Sequence, residues 1–305
     1  MKGFDDRFVT NDIETLLTAL YVKIDDELAG PRWTGRPPVL TDSELVCVAV
    51  AQALLGFTSE THWLRYARKH VRGLFPYLPQ QSGYNKRLRA ALGLVKRVIR
   101  MLARSSEFWL DDCWIADSTP VPCGMSRPTV KRSELAGWAG YGYCASHSRC
   151  YWGLKLYLVA TPSGMPIMWA LADPKIGERE VLAAMLEVDA AVTAEHEHIL
   201  LICDKGFAGH DFETLLADYG ITMLRPSRAD EKTRHGEPML KKVRQLIESV
   251  NQTLKGQLDL EDHGGRSCEG LAIRVAQRVL AMAAAIWHNN KTNAPTTRSL
   301  TPYDH

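Results

Sequence analysis

Two aspartates in this chain each follow a short apolar run: Trp114-Ile115-Ala116-Asp117 and Leu201-Ile202-Cys203-Asp204. Runs of that kind read as buried strands. Ligand sites in α/β sheets gather where strands end, on backbone that is rigid yet exposed. A third acid, Glu248, lies in a segment of helical periodicity. Leu240, Val243, Ile247, Val250, Leu254 and Leu258 form one apolar stripe there. Arg244, Glu248, Asn251 and Lys255 form the next stripe, about 100° around the helix and so at the edge of the packed face. Such an edge can bring a carboxylate beside strand-borne acids. Singly, each acid has an ordinary reading: a turn residue for either Asp, and an i,i+4 surface pair for Arg244 and Glu248. Converging, three carboxylates repel one another and their pKa values rise. Hard divalent ions, Mg²⁺ or Mn²⁺, remove that conflict because they take oxygen ligands. Two of them per site clamp the attacking and leaving oxygens of a phosphoryl displacement.

Other acids compete for the role. Asp173 also follows a strand-like run, and Asp259, Glu261 and Asp262 follow the last apolar position of the Glu248 helix. Asp111 and Asp112 read as loop acids before the first strand. Cys144-x2-His147-x2-Cys150 holds zinc-ligating residue types, but not in the usual paired-knuckle spacing. No Gly-rich phosphate loop is present, so ATP use is not indicated.

The elements that must position the three acids read as an α/β order from Trp109 onward. Cys113–Ala116 is a strand ending at Asp117. Tyr151–Thr161 and Met165–Ala172 form a hairpin around Pro162-Ser163-Gly164. Glu178–Ala194 is a helix, His198–Cys203 a strand ending at Asp204, Phe212–Tyr219 a helix, and Ile221–Arg225 a strand. Pro226–Pro238 is polar with no core periodicity. Leu240–Leu258 and Gly270–His288 are helices. Residues 120–149 read as irregular. Strand, hairpin, helix, strand, helix, strand, helix predicts a mixed sheet with flanking helices, as in RNase H-like folds and some other α/β folds.

Upstream the chain reads as helices: Asn11–Ile24 with Asn11 as N-cap, a second opened by a Thr41-Asp42-Ser43-Glu44 capping box, then Glu60–Val71 and a long basic amphipathic helix, Tyr84–Arg104. Breaks fall at Trp33–Pro38 and Pro76–Gly83. From Thr61 to Ser105 there are eleven Lys or Arg and no acid. That imbalance suits a polyanion, nucleic acid above all, although a solvated helical surface would read the same way. The pattern is compatible with a helix-turn-helix-like DNA-binding region. Arg87 and Arg89, early in the basic helix, are its candidate DNA contacts. The expected division is 1–108 helical, 109–290 catalytic and 291–305 a polar tail. With 305 residues, 46% of them hydrophobic, and seven scattered cysteines, the composition is that of a cytoplasmic globular protein in a reducing interior. The N-terminus is no signal peptide, and the apolar run Leu45–Phe57 is too short for a bilayer.

These motifs resemble those of bacterial insertion-sequence DDE transposases. Ile115-Ala116-Asp117-Ser118-Thr119 is similar to the first-acid motif of that family, and Leu201 to Phe207 to the second. Arg244-x3-Glu248-x6-Lys255 is similar to the third. Tyr151-Trp152-Gly153-Leu154-Lys155-Leu156 resembles the aromatic-Gly-x-Lys-Leu strand that follows the first acid. The resemblance spans about Trp114–Asn290. It implies an RNase H-like catalytic domain that cleaves and transfers DNA strands, with Asp117, Asp204 and Glu248 binding the metal ions. It places Lys155, Arg244 and Lys255 near DNA, Lys255 beside the transposon end. It implies double-stranded transposon ends and target DNA as partners, a homo-oligomer on DNA, and a nucleoid-associated protein without a membrane. The pattern departs at Lys241, where hairpin-forming relatives carry Tyr. A metal-dependent endonuclease of the same fold and a non-catalytic DNA-binding relic are the alternatives.

Overall fold

The structure is a computed structural model that describes residues 6–28, 37–124, 126–144, 148–229, 231–295 and 300. Its contacts divide the chain into two compact units: residues 1–102, 253–265 and 269–305 form one, and residues 103–252 and 266–268 the other.

The first unit is helical. Helix α1 runs Asp6–Glu27 and buries Ile13, Leu16, Leu17, Leu20 and Ile24. It starts ahead of Asn11, which is therefore inside the helix and not its cap. The break read at Trp33–Pro38 lies mostly outside the described residues. Helix α2 (Asp42–Leu54) opens with the expected capping box. Thr41 Oγ1 accepts from the Glu44 amide at 3.1 Å, and the Glu44 carboxylate accepts from the Thr41 amide at 2.6 Å. Helix α3 (Glu60–His70) follows an Ser59 cap. The basic helix expected over Tyr84–Arg104 is two helices, α4 (Gln81–Ala90) and α5 (Leu92–Arg104). The turn between them centres on Ala91, whose amide is shared by the Arg87 and Leu88 carbonyls; Gly93, in the first turn of α5, is a weak helix former beside it. Pro76–Pro79 is indeed irregular, but Gly83 lies within α4.

The last long helix, α11 (Cys268–Lys291), is buried from Leu271 to Asn289 almost without interruption. Among the described residues it is the one helix long and apolar enough to cross a membrane, yet 89% of its apolar window is buried inside the fold. Gln277 on α11 donates to the Ala49 carbonyl (2.7 Å) and to Gln52 Oε1 (3.2 Å), which also accepts from Tyr84 Oη. Arg274 pairs with Glu60, whose carboxylate also accepts from Gln81 and Asn85. The compact units thus cut the chain at places other than residues 108 and 290.

The second unit is a six-stranded mixed sheet. Its strands are β1 (Cys113–Gly124), β2 (Gly140–Cys144), β3 (Arg149–Ala160), β4 (Pro166–Ala172), β5 (Ile199–Ile202) and β6 (Ile221–Leu224). One edge of β3 pairs antiparallel with β1. Its other edge is shared, by β2 along residues 149–153 and by β4 along 155–160. β5 joins β1 in parallel, and β6 joins β5 in parallel. Three antiparallel strands followed by two parallel ones is the RNase H-like order, to which β2 adds a short edge. Helices α6 (Arg127–Arg132), α7 (Glu178–Val188), α8 (Ala190–Thr193), α9 (His210–Asp218) and α10 (Leu240–Gln252) flank the sheet. α10 ends six residues earlier than its apolar stripe suggests, and a π-helical turn, Thr253–Gln257, follows. Residues 120–149, read as irregular, hold the second half of β1, α6 and β2.

Candidate active site

Asp117 sits in mid-strand, not at the strand end that its apolar run suggested. β1 runs on to Gly124 because β3 offers an antiparallel partner that far. What ends is the pairing with β5, which covers only Cys113–Ile115 opposite Leu200–Ile202. Carried two residues onward, that parallel register sets Asp117 level with Asp204. The two acids therefore flank the point where β1 and β5 part.

Asp204 begins a tight 3₁₀ turn, Lys205–Phe207. Its Oδ1 accepts from the Gly206 amide at 2.6 Å, and the buried Phe207 anchors the turn below. Gly206 has no room for a side chain. A Cβ there would meet Glu178 Oε2 at 2.7 Å and Asp204 Oδ1 at 2.8 Å. Those two oxygens thus share one small space, and Glu178 joins the site as an acid the sequence reading missed. Glu178 opens α7, and its Oε1 accepts from Ser118 Oγ (2.8 Å) and Lys155 Nζ (3.0 Å). Its sequence signal was an acid at a helix start, which usually serves only the helix dipole.

Helix α10 reaches the same point. Asn251 Nδ2 donates to Asp117 Oδ2 at 2.7 Å. Asn251 belongs to the stripe that carries Glu248, three residues before it and exposed to solvent. Burial is the main cause that pushes the Asp117 carboxyl up, to about 6. The charges of Asp204 and Glu178 add to it, while hydrogen bonds from the Ser118 amide and Asn251 oppose it. On the same face of β1, the buried Thr119 hydroxyl has no hydrogen-bond partner.

These donors fit a hard divalent cation. They are oxygens only, and one is destabilised by neighbouring negative charge that a cation would neutralise. Among the described residues, no three His, Cys, Asp or Glu side chains close around a point as a finished metal cage. The site is a pair of strand acids with Glu178 on one side and the α10 edge on the other.

The profile of a family described as the transposase DDE domain matches residues 109–284, more than half of the chain. The chain belongs to the DDE transposase family. It is a DNA transposase, of a family that cleaves and transfers DNA strands with divalent metal ions. No curated protein matches it. Among solved structures, a cryo-EM structure of a piggyBac transposase synaptic complex with hairpin DNA is similar at 12% identity and a TM-score of 0.41, over 98% of this chain and 76% of that one.

The remaining candidates fall in different places of the transposase. Lys155 is the Glu178 partner. Arg87 bridges the Leu40 carbonyl and Asp42 (2.9 Å), and Arg89 pairs with Glu269 (2.6 Å). Lys255 lies on the π-helical turn, 3.9 Å from Glu261. The side chains of Arg244 and Lys241 lie outside the described residues. Asp173 caps a turn by accepting from the Lys175 amide (2.9 Å), and Asp259 and Asp262 offer their carbonyls to Arg278. Cys144 and Cys150 cannot share a zinc ion. Cys150 opposes Tyr143 and Cys144 opposes Arg149, so the two thiols leave opposite faces of the hairpin. His147 lies outside the described residues.

Proposed function

We propose that Asp117, Asp204 and Glu248 hold two Mg²⁺ or Mn²⁺ ions with which this transposase cuts and joins double-stranded DNA at transposon ends and in target DNA. The observation that carries this reading is the Asn251–Asp117 hydrogen bond, because it sets the Glu248 stripe of α10 against the Asp117–Asp204 pair. Residues three apart on a helix are neighbours, about 5–6 Å between Cβ atoms, so an exposed Glu248 side chain has the reach to turn inward. When bound, such ions supply an activated oxygen nucleophile and neutralise the leaving oxygen. The chain's own residues hold and orient. Asn251 fixes the Asp117 carboxylate, the Gly206 amide fixes Asp204, and Glu178 keeps Lys155 and Ser118 in place beside them.

In the same reading, residues 1–108 bind DNA, with Arg87 and Arg89 among the contacts, and residues 109–290 catalyse, ahead of the 291–305 tail. Lys155, Arg244 and Lys255 serve the DNA near the cut. The protein works as a homo-oligomer on DNA, in the cytoplasm at the nucleoid.

The test compares cleavage and binding in the same variants. Asp117→Ala, Asp204→Ala and Glu248→Ala should each abolish metal-dependent cleavage and transfer from a 3′-hydroxyl end, yet leave DNA binding within a few-fold of the parent, since affinity comes mainly from Lys and Arg. Parental cleavage by Glu248→Ala together with a dead Glu178→Gln would make Glu178 the third acid. Loss of binding in step with cleavage would make the acids structural and defeat the reading.

A further inference from the structure

Three large aromatic side chains stand in solvent within six residues: Trp138, Tyr141 and Tyr143, at 62%, 58% and 60% exposure. The fold holds them there. Leu135 is fully buried, and its carbonyl accepts from the amides of both Trp138 (3.0 Å) and Ala139 (2.9 Å) around Gly137, whose φ of +98° closes the turn. On β2 the glycines alternate with the tyrosines. A side chain at Gly140 would collide with Asp173, and one at Gly142 would meet the Tyr151 ring at 2.6 Å and Pro174 at 2.8 Å. The strand thus lies flat on its inner neighbours and projects both tyrosine rings from its other face. Those rings are two residues apart, about 6.6 Å along the strand.

Farther along, the same face of the sheet carries Asp117, with Leu154, Leu156 and Leu158 of β3 buried between. Tyr143 and Tyr141 oppose Cys150 and Trp152 on β3, and Asp117 opposes Leu158. Opposed residues share a face, and 150, 152 and 158 alternate in phase along β3, so both tyrosines and Asp117 share one face of the sheet. From Trp152 to Leu158 is about 20 Å of strand. The charge nearby suits phosphate. Between Ser126 and Tyr151 the chain carries Arg127, Lys131, Arg132 and Arg149 against one acid, Glu134. α6, which bears the first three, packs at this face: a Cβ on Gly124 would lie 3.1 Å from the Trp152 ring and 3.5 Å from Thr129.

We propose that Trp138, Tyr141 and Tyr143 form a stacking platform for unpaired bases of the DNA strand that leaves the active site. The inference rests on the assignment of Asp117 and Asp204 as the place of cleavage. Exposed rings with nearby cations are what a single strand needs, because unpaired bases offer π faces to aromatic side chains. A duplex hides those faces and shows only base edges and phosphates.

The test uses the full chain, an oligo(dT) strand, and a blunt duplex of the same length. The parent should bind oligo(dT) with quenching of tryptophan fluorescence. The Tyr141→Ala/Tyr143→Ala double variant should lose roughly 30-fold in oligo(dT) affinity and move less than about twofold on the duplex, as expected for loss of stacking on two bases. Tyr141→Phe/Tyr143→Phe should bind like the parent, because the ring and not the hydroxyl does the stacking. Trp138→Phe should bind while losing much of the quench. The proposal is overturned if the parent ignores oligo(dT), if the alanine variant binds it normally or loses duplex affinity equally, or if that variant dissociates an oligomer in sedimentation, which would make the face a contact between copies. Failure of the acid assignment would show elsewhere, as unimpaired cleavage by Asp117→Ala, and would leave the oligo(dT) result unchanged.

Discussion

At the residue scale, Asp117 links the site to the pH dependence of stability. Its carboxyl titrates near 6 in the fold, against about 3.9 in an unfolded chain. Between those values the folded state holds a proton that the unfolded state has released. Stability therefore falls as pH rises through this window, and the cost is complete above about pH 6. Asp117→Asn removes that cost. The metal-free protein should gain on the order of 2 kcal/mol at about pH 8 and almost nothing at about pH 4, read as a rise in Tm in chelator. Equal gains at both pH values would show that the charge is not what Asp117 contributes. Glu178 and Lys155 make a second prediction. Both are mostly shielded and lie 3.0 Å apart, so a double-mutant cycle of Glu178→Ala and Lys155→Met should give a coupling of about 1 kcal/mol in unfolding free energy. Zero coupling would reduce the pair to a surface contact. Asp117 and Asp204 were legible because an acid after an apolar run is a local pattern. Glu178 was not, since its place depends on β3 bringing Lys155 to the start of α7, which no spacing along the chain encodes.

At the scale of elements, Gly153, like Gly206 beside the acids, has a packing reason. Gly153, in the strand motif, faces the β1 bulge at Pro122, and a Cβ would overlap the Val121 carbonyl oxygen and crowd Pro122 Cα. Both obstacles are backbone, so β1 and β3 would have to separate at the foot of the strand that carries Asp117. Gly153→Ala should cost at least about 2 kcal/mol in denaturant unfolding and lower cleavage with it. Gly153→Ala with parental stability would mean that the strands can part without strain. The capping box and the apolar strands were readable because their signals are short and periodic. The α4–α5 break was hidden by a hydrophobic stripe that runs in phase through both helices. The segment after β6 was unreadable for another reason. It is held by charge: buried Arg225 joins Glu213 of α9 and Glu231, and Arg234 returns to Glu213. The Arg225 hydrogen bond holds Glu231 down, to about 2. Ion-pair order of this kind leaves no period in the sequence.

At the scale of the whole molecule, the position of α11 decides what can be separated from what. The sequence suggests a DNA-binding piece that ends near residue 108, but the core of that piece includes a helix from the other end of the chain. Gln277 satisfies the Ala49 carbonyl and Gln52, and Arg274 neutralises Glu60, which is itself buried. Without α11, Glu60 is left as a buried carboxylate without its cation, and α2 loses the Gln277 bonds to Ala49 and Gln52. An uncompensated buried charge alone costs about 3–5 kcal/mol, a large part of the stability of a small domain. A fragment of residues 1–108 should therefore melt without a cooperative transition, and addition of a peptide spanning residues 268–295 should restore one. A sharp melt for the fragment alone would show that α11 is dispensable. DNA binding is then best read on the full chain, where the exposed cations Arg65, Lys69, Arg72, Lys86 and Arg97 keep their places. Each phosphate that they neutralise adds about −0.9 to the slope of log affinity against log salt. Replacing Arg65, Lys69 and Arg72 with Gln should flatten that slope by up to about 3 while leaving Tm within about 2 °C, since none of the three fills the core. Arg87→Ala should do the opposite, lowering Tm through its lost bridge to Leu40 and Asp42 and changing the slope by no more than about one phosphate. A slope unchanged in the triple variant would place the DNA on another face of the chain.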